Sequence, residues 1–155
     1  RRHALLLRNL LANREQPDLG ALSRIDEAED FVWAILPHAA RTFSACIALM
    51  PRRSALPSAV AYLYCRMLDT YEDLVPSQTS RESALRAFAA RLTTSGNSLG
   101  AAPSVESPTI IDDRDRAHLL LVERAEGALF TIHRELTGSW PDLPILPLLA
   151  DVGRA

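Results

Sequence analysis

The chain has 155 residues, 48% of them hydrophobic, and a net charge of −2. That is one domain's length, enough to bury a core, and the charge balance gives no basis for a nucleic-acid partner. All 17 basic residues are Arg, no apolar run approaches the roughly 20 residues of a membrane span, and Cys46 and Cys65 lie in apolar helical patterns that predict buried free thiols in a reducing compartment, not a disulfide or zinc site.

In chain order, the sequence reads as helices separated by Pro and Ser/Thr/Gly breaks. Residues near 3–13 form a first apolar, helical stretch. Ser23, with Asp26 three residues on, predicts a helix start. That helix carries Phe31, Val32, Ile35 and Leu36 and is expected to break near Pro37. A short helix follows through Arg41, Phe43, Cys46, Ile47 and Leu49, then a turn at Met50-Pro51-Arg52-Arg53. The next helix is expected from about Leu56 to Leu74, with Pro57 in its first turn and Pro76 ending it. Thr79 or Ser80 is the expected cap of a helix through Leu85, Phe88 and Leu92. Residues 93–108 are Ser, Thr, Gly, Ala and Pro with few apolar positions, which predicts a flexible loop. A last helix starts near Asp112 and carries Leu119, Leu120, Val122, Leu129, Ile132 and Leu136. Asp112, Asp113 and Asp115 open it and suit its positive N-terminal end, so they are read as capping. Pro141, Pro144 and Pro147 make residues 138–155 an irregular tail.

The most informative stretch is Tyr62-Leu63-Tyr64-Cys65-Arg66-Met67-Leu68-Asp69-Thr70-Tyr71-Glu72-Asp73. Helical spacing puts Tyr62, Arg66, Asp69 and Asp73 on one polar line, with Glu72 at its edge. Val60, Leu63, Tyr64, Cys65, Met67 and Leu68 surround that line with apolar residues. Charges in such surroundings need a partner or a metal. Mg²⁺ accepts one or two carboxylates and completes its shell with water and phosphate. From these residues alone two readings stay open: an inward carboxylate pair for a metal, or a solvated acidic face paired to Arg. His38, His118 and His133 have no zinc-site spacing and are read as non-ligands.

This stretch resembles the first aspartate-rich motif of the squalene/phytoene synthase family. Leu68-Asp69-Thr70-Tyr71-Glu72-Asp73, with Arg66 just before, is closest to the squalene synthase branch. Upstream, Leu36-Pro37-His38-Ala39-Ala40-Arg41-Thr42-Phe43-Ser44 resembles the family's Ser-Arg-Ser-Phe-type diphosphate segment, with Ala40 in place of the first Ser. The resemblance implies an all-α fold, a partial isoprenoid-synthase-type helical bundle, over residues 1–137. It implies head-to-head condensation of two prenyl diphosphates, with farnesyl diphosphate giving presqualene diphosphate or squalene. Asp69, Glu72 and Asp73 would hold Mg²⁺, and Arg41 and Arg66 would bind diphosphate. Tyr62 and Phe43 would face the developing carbocation. NADPH would serve a squalene-forming enzyme.

The family's second aspartate-rich motif is absent from these residues, and the chain does not start with Met. Both points lead to the expectation of one half of a longer protein or of a two-chain assembly, completed by a complementary chain. Two alternatives accompany this reading: a phytoene- or dehydrosqualene-type synthase, and a catalytically silent helical module that binds prenyl lipid or a partner subunit. The expected location is cytoplasmic, with peripheral membrane contact for a lipid product left open.

Overall fold

A computed structural model describes Leu7, Leu11, residues 16–93, 102–105 and 107–133. Every regular element among them is helical: α1 (Leu19–Ser23), α2 (Ala28–Ala40), α3 (Thr42–Leu49), α4 (Arg52–Leu74), α5 (Gln78–Thr93) and α6 (Asp113–Glu123). The chain turns helical again at 129–133. The fold is all-α, as the sequence implies. Of the first apolar stretch, only Leu7 and Leu11 are described; both are helical and exposed. Residues 134–155, and with them Leu136 and the Pro-rich tail, lie outside the described residues, as does 94–101 of the expected loop.

Helix α2 forms the centre. Every residue from Phe31 to Ala40 is buried, as expected of a helix apolar on all sides. It packs against α4 and α6, with α3 folded back on it. Its start differs from the expectation. Ser23 ends α1, whose own cap is Asp18, accepting from Ala21 N at 2.9 Å, and α2 begins at Ala28. Nor does Pro37 break α2; the helix runs through it to Ala40. The break comes at Arg41, whose φ of 45° is one that L residues rarely adopt.

Helix α4 starts earlier than its sequence suggests. The Pro51 carbonyl accepts from Ser54 N and Ala55 N at 2.8 and 2.9 Å, which recruits Arg52 and Arg53 and leaves Pro57 inside the helix. Its inner face is Ala55, Ala59, Val60, Leu63, Tyr64, Met67, Leu68, Tyr71 and Leu74, all buried. Those steps of three, four and one trace a single apolar stripe. Cys65 is not part of it. Both Cys46 and Cys65 are exposed, which corrects the expected buried thiols: each falls on the outward side of its helix.

Ser77, not Thr79 or Ser80, precedes α5, and its hydroxyl accepts from Ser80 N at 3.4 Å. The expected cap on α6 is present as a reciprocal box. Asp112 Oδ1 accepts from Asp115 N at 2.9 Å, and Asp115 Oδ2 accepts from Asp112 N at 3.3 Å. Within the 93–108 segment, Thr93 ends α5, and the described residues 102–105 and 107–108 have no regular structure, yet the stretch is tied down. Tyr71 Oη donates to the Pro103 carbonyl at 2.7 Å, and Thr109 N donates to the Leu74 carbonyl at 3.0 Å.

Two polar devices lock the apolar core. Tyr64, fully buried, packs on Phe88 and Phe130 and shares a 2.9 Å hydrogen bond with His133 Nδ1, linking α4, α5 and 129–133. Arg124, just past α6, donates to the carbonyls of Leu22, Ser23 and Ile25 and stacks 4.8 Å over the Phe31 ring. It thereby joins the end of α1, the start of the core and the end of α6. Among the described residues, no helix is long and apolar enough to cross a membrane.

The Arg124 clamp predicts a specific stability loss. Arg124→Ala removes three charge-assisted bonds and the stacking, at a cost of about 2–4 kcal/mol. Arg124→Lys recovers less than half, because an ammonium lacks the planar fork. Urea denaturation of both variants measures this; equal midpoints for wild type and Arg124→Ala would refute the clamp.

Candidate functional site

The residues singled out by the sequence fall on one outward face, built by the α2–α3 bend and the outer side of α4. Arg41 sits in the bend itself and is exposed. Ser44 holds the bend from the α3 side: its hydroxyl donates to the Arg41 carbonyl at 2.6 Å. Phe43 follows on α3 with 60% of its surface exposed. Its ring packs on Tyr62 of α4, centroid to centroid 5.9 Å. One turn on, Arg66 Nη1 lies 3.3 Å from Asp69 Oδ2, the Arg side chain 24% exposed and the Asp 52%. Glu72 and Asp73 complete the line and are exposed.

The carboxylates therefore point outward. Leu63, Met67 and Leu68 fill the opposite face of α4 and leave this one open, the arrangement of the acidic face paired to Arg that the sequence left open beside the inward pair. Among the described residues, no group of three or more His, Cys, Asp or Glu converges on a metal position. Asp69 and Asp73, one turn apart, still match the one or two carboxylates that Mg²⁺ takes when phosphate and water supply the rest. The donor set fits a metal–diphosphate, not a closed protein cage.

Cys65 also lies beside this line, as the sequence places it, but on the exposed side of α4. Its thiol is half-enclosed at the helix surface. Desolvation first, and the Asp69 carboxylate second, push it above the ordinary thiol range, against the smaller pull of the backbone and Arg66.

Behind the line lies a residue that sequence reasoning passed over. His118, on the inner side of α6 with Ala117, Leu121 and Val122, is buried. Burial first, and the Arg66 charge second, lower its pKa; a hydrogen bond to the His38 backbone and the Asp115 and Asp112 charges oppose this. The available signal was its place three residues after Asp115, on the apolar side of a helix whose acidic side faces out. His38 and His133 are buried as well, the latter engaged by Tyr64.

Residues 36–126, more than half of the chain, match the profile of the squalene/phytoene synthase family. The match takes in the Arg41–Ser44 bend, the whole of α4 and α6. No curated protein and no solved structure matches the chain significantly.

Two outcomes follow from the geometry. A non-Gly residue held at Arg41's φ costs about 1–3 kcal/mol, and Gly gives back part of that as unfolded-chain entropy. Arg41→Gly is therefore expected to raise stability by about 1 kcal/mol while Arg41→Ala does not; a midpoint lower for Gly than for Ala would show the bend to be unstrained. The second concerns acid. With the folded His118 pKa below the usual 6.5, both states are neutral above that pH, and below it the unfolded chain takes up the proton first. Stability then falls as pH drops from 7 toward 5, by at most about 1.4 kcal/mol per unit from this group. His118→Gln flattens that limb in pH-dependent denaturation relative to wild type, His38 and His133 being common to both; an unchanged limb would exclude the effect.

Proposed function

The chain belongs to the squalene/phytoene synthase family, and on that premise we propose that it serves the head-to-head condensation of two prenyl diphosphates. Members of that family are prenyltransferase-type enzymes. We assign farnesyl diphosphate as substrate and presqualene diphosphate as first product. The observation that carries the reading is the Arg66–Asp69 pair at 3.3 Å, set one turn beyond the Tyr62–Phe43 ring pair on a single outward face. An anion-binding fork, carboxylates and two aromatic faces then stand in the order in which a prenyl diphosphate presents its head and its chain.

Arg41 and Arg66 bind diphosphate oxygens, for which the planar guanidinium suits bidentate contact. Asp69 and Asp73, with Glu72 at the edge, would hold Mg²⁺, which neutralises the departing diphosphate. Ionisation breaks the C1–O bond of one substrate, and the electron pair leaves with the diphosphate. Tyr62 and Phe43 present ring faces to the resulting allylic cation, which they stabilise by charge–quadrupole attraction. The double bond of the second substrate attacks that cation, and loss of a proton closes the cyclopropane. Reduction onward to squalene would draw on NADPH, to which no residue of this chain is assigned.

Exposure of the site suits two companion readings. Phe43, at 60%, and Leu49, at 63%, leave apolar surface open on α3, and this suits either a complementary chain that completes the metal site or a silent module that holds prenyl lipid.

Calorimetric titration with farnesyl thiodiphosphate separates these readings. Wild type is expected to bind it only with Mg²⁺. Asp69→Asn and Asp73→Asn should each weaken binding about tenfold, or roughly 1.4 kcal/mol, with unchanged helicity. Tyr62→Phe should bind as wild type does, since only a hydroxyl is lost. Binding that ignores Mg²⁺ and both Asn substitutions would replace the enzyme reading with the lipid-holding module.

A further inference from the structure

Helices α4 and α6 pack on each other, and Arg66 on one and His118 on the other each bury a polar nitrogen. Arg66 Nε and His118 Nε2 are both shut off from solvent, and neither has a hydrogen-bond partner among the described residues. A guanidinium Nε is always a donor. His118 is already engaged with the His38 backbone in a contact that favours the protonated ring, so the acceptor there is the His38 carbonyl. Only Nδ1 is left to make that bond. In the neutral ring Nε2 then carries a lone pair and no proton. The same interface brings the imidazole within range of the Arg66 charge. On the other edge of the guanidinium, Nη1 holds Asp69 at 3.3 Å.

We propose that His118 is a positioning residue for Arg66: its neutral imidazole accepts the guanidinium Nε–H and so directs the Nη edge of the fork toward Asp69 and the diphosphate. The remaining groups around the ring leave this role to Arg66. Asp112 and Asp115 are occupied in the α6 cap, and the His38 backbone takes the opposite nitrogen. A neutral acceptor also suits the task better than a carboxylate. A carboxylate would pair with the whole fork and compete with Asp69, whereas one imidazole nitrogen takes one proton and leaves the Nη groups free. The inference rests on the diphosphate reading for what the fork binds, but not for the pairing itself.

NMR of the ¹⁵N-labelled full chain, with a Mg²⁺–pyrophosphate titration, tests it. In wild type, long-range ¹H–¹⁵N spectra are expected to put the His118 proton on Nδ1. Arg66 Nε–H should exchange with water about tenfold more slowly than an exposed Arg. His118→Leu should abolish that protection and weaken pyrophosphate several-fold. His118→Gln, whose Oε1 can replace Nε2 as acceptor, should restore both. A proton on Nε2 in wild type overturns the proposal without any variant. So does Nε–H exchange that His118→Leu leaves unchanged, or that Leu and Gln accelerate equally, which would mean packing alone. Should wild type bind no pyrophosphate, the diphosphate reading falls, and the exchange rates still decide the pairing.

Discussion

The structure depends on the complete burial of one helix. From Phe31 to Ala40, α2 has no side free for solvent, so other elements must surround it, and its last carbonyls must find partners inside the protein. The His38 carbonyl finds His118 of α6. The chain itself leaves through Arg41, at a backbone angle that turns it outward onto α3. Burial of α2 thus fixes where α6 packs and where the Arg41–Ser44 bend emerges.

Helix α4 is the wall between that interior and the outward face. Its inner stripe from Ala55 to Leu74 is continuous and apolar, and Thr70, the buried polar residue within it, turns its hydroxyl to the Arg66 carbonyl at 2.7 Å. The outer stripe carries Tyr62, Cys65, Arg66, Asp69 and Asp73. Arg66 belongs to both environments. Its Nη1 reaches an exposed carboxylate, while its Nε is shut off from solvent.

Much of this is legible in the sequence because of two local signals, one a periodicity and one a cap. The steps of three and four in 59–74 determine α4, and Asp112 with Asp115 marks the start of α6 by cap chemistry alone. Local signals failed where tertiary burial outweighed them. Pro37 was expected to stop α2, yet a helix buried on every side is held by packing, and loss of one backbone donor does not end it. Ser23 resembled a cap, but Arg124, about a hundred residues on, claims its carbonyl. The site was legible as a list of side chains and not as a direction. Apolar neighbours suggested inward carboxylates, whereas those neighbours occupy the far side of the same helix. His118 was illegible because its importance lies in what faces it across an interface, which no local spacing encodes.

The energetics of the outward face argue that it is kept for something other than stability. An ion pair as exposed as Arg66–Asp69 contributes about 0–1 kcal/mol. A guanidinium nitrogen withdrawn from water costs about 1–3 kcal/mol unless an acceptor reaches it, and the Arg41 backbone costs a similar amount. Phe43 leaves most of its ring in water, where burial would have stabilised the chain. Each of these costs falls on a residue of the same face, while the interior a few ångströms away pairs Tyr64 with His133 and fills the stripe with apolar side chains. Several local conflicts thus meet on this face, a pattern that fits residues selected for binding as well as for folding. Arg66 joins the outer line to the packed interior, with one edge of its guanidinium at Asp69 and its Nε shut off from solvent.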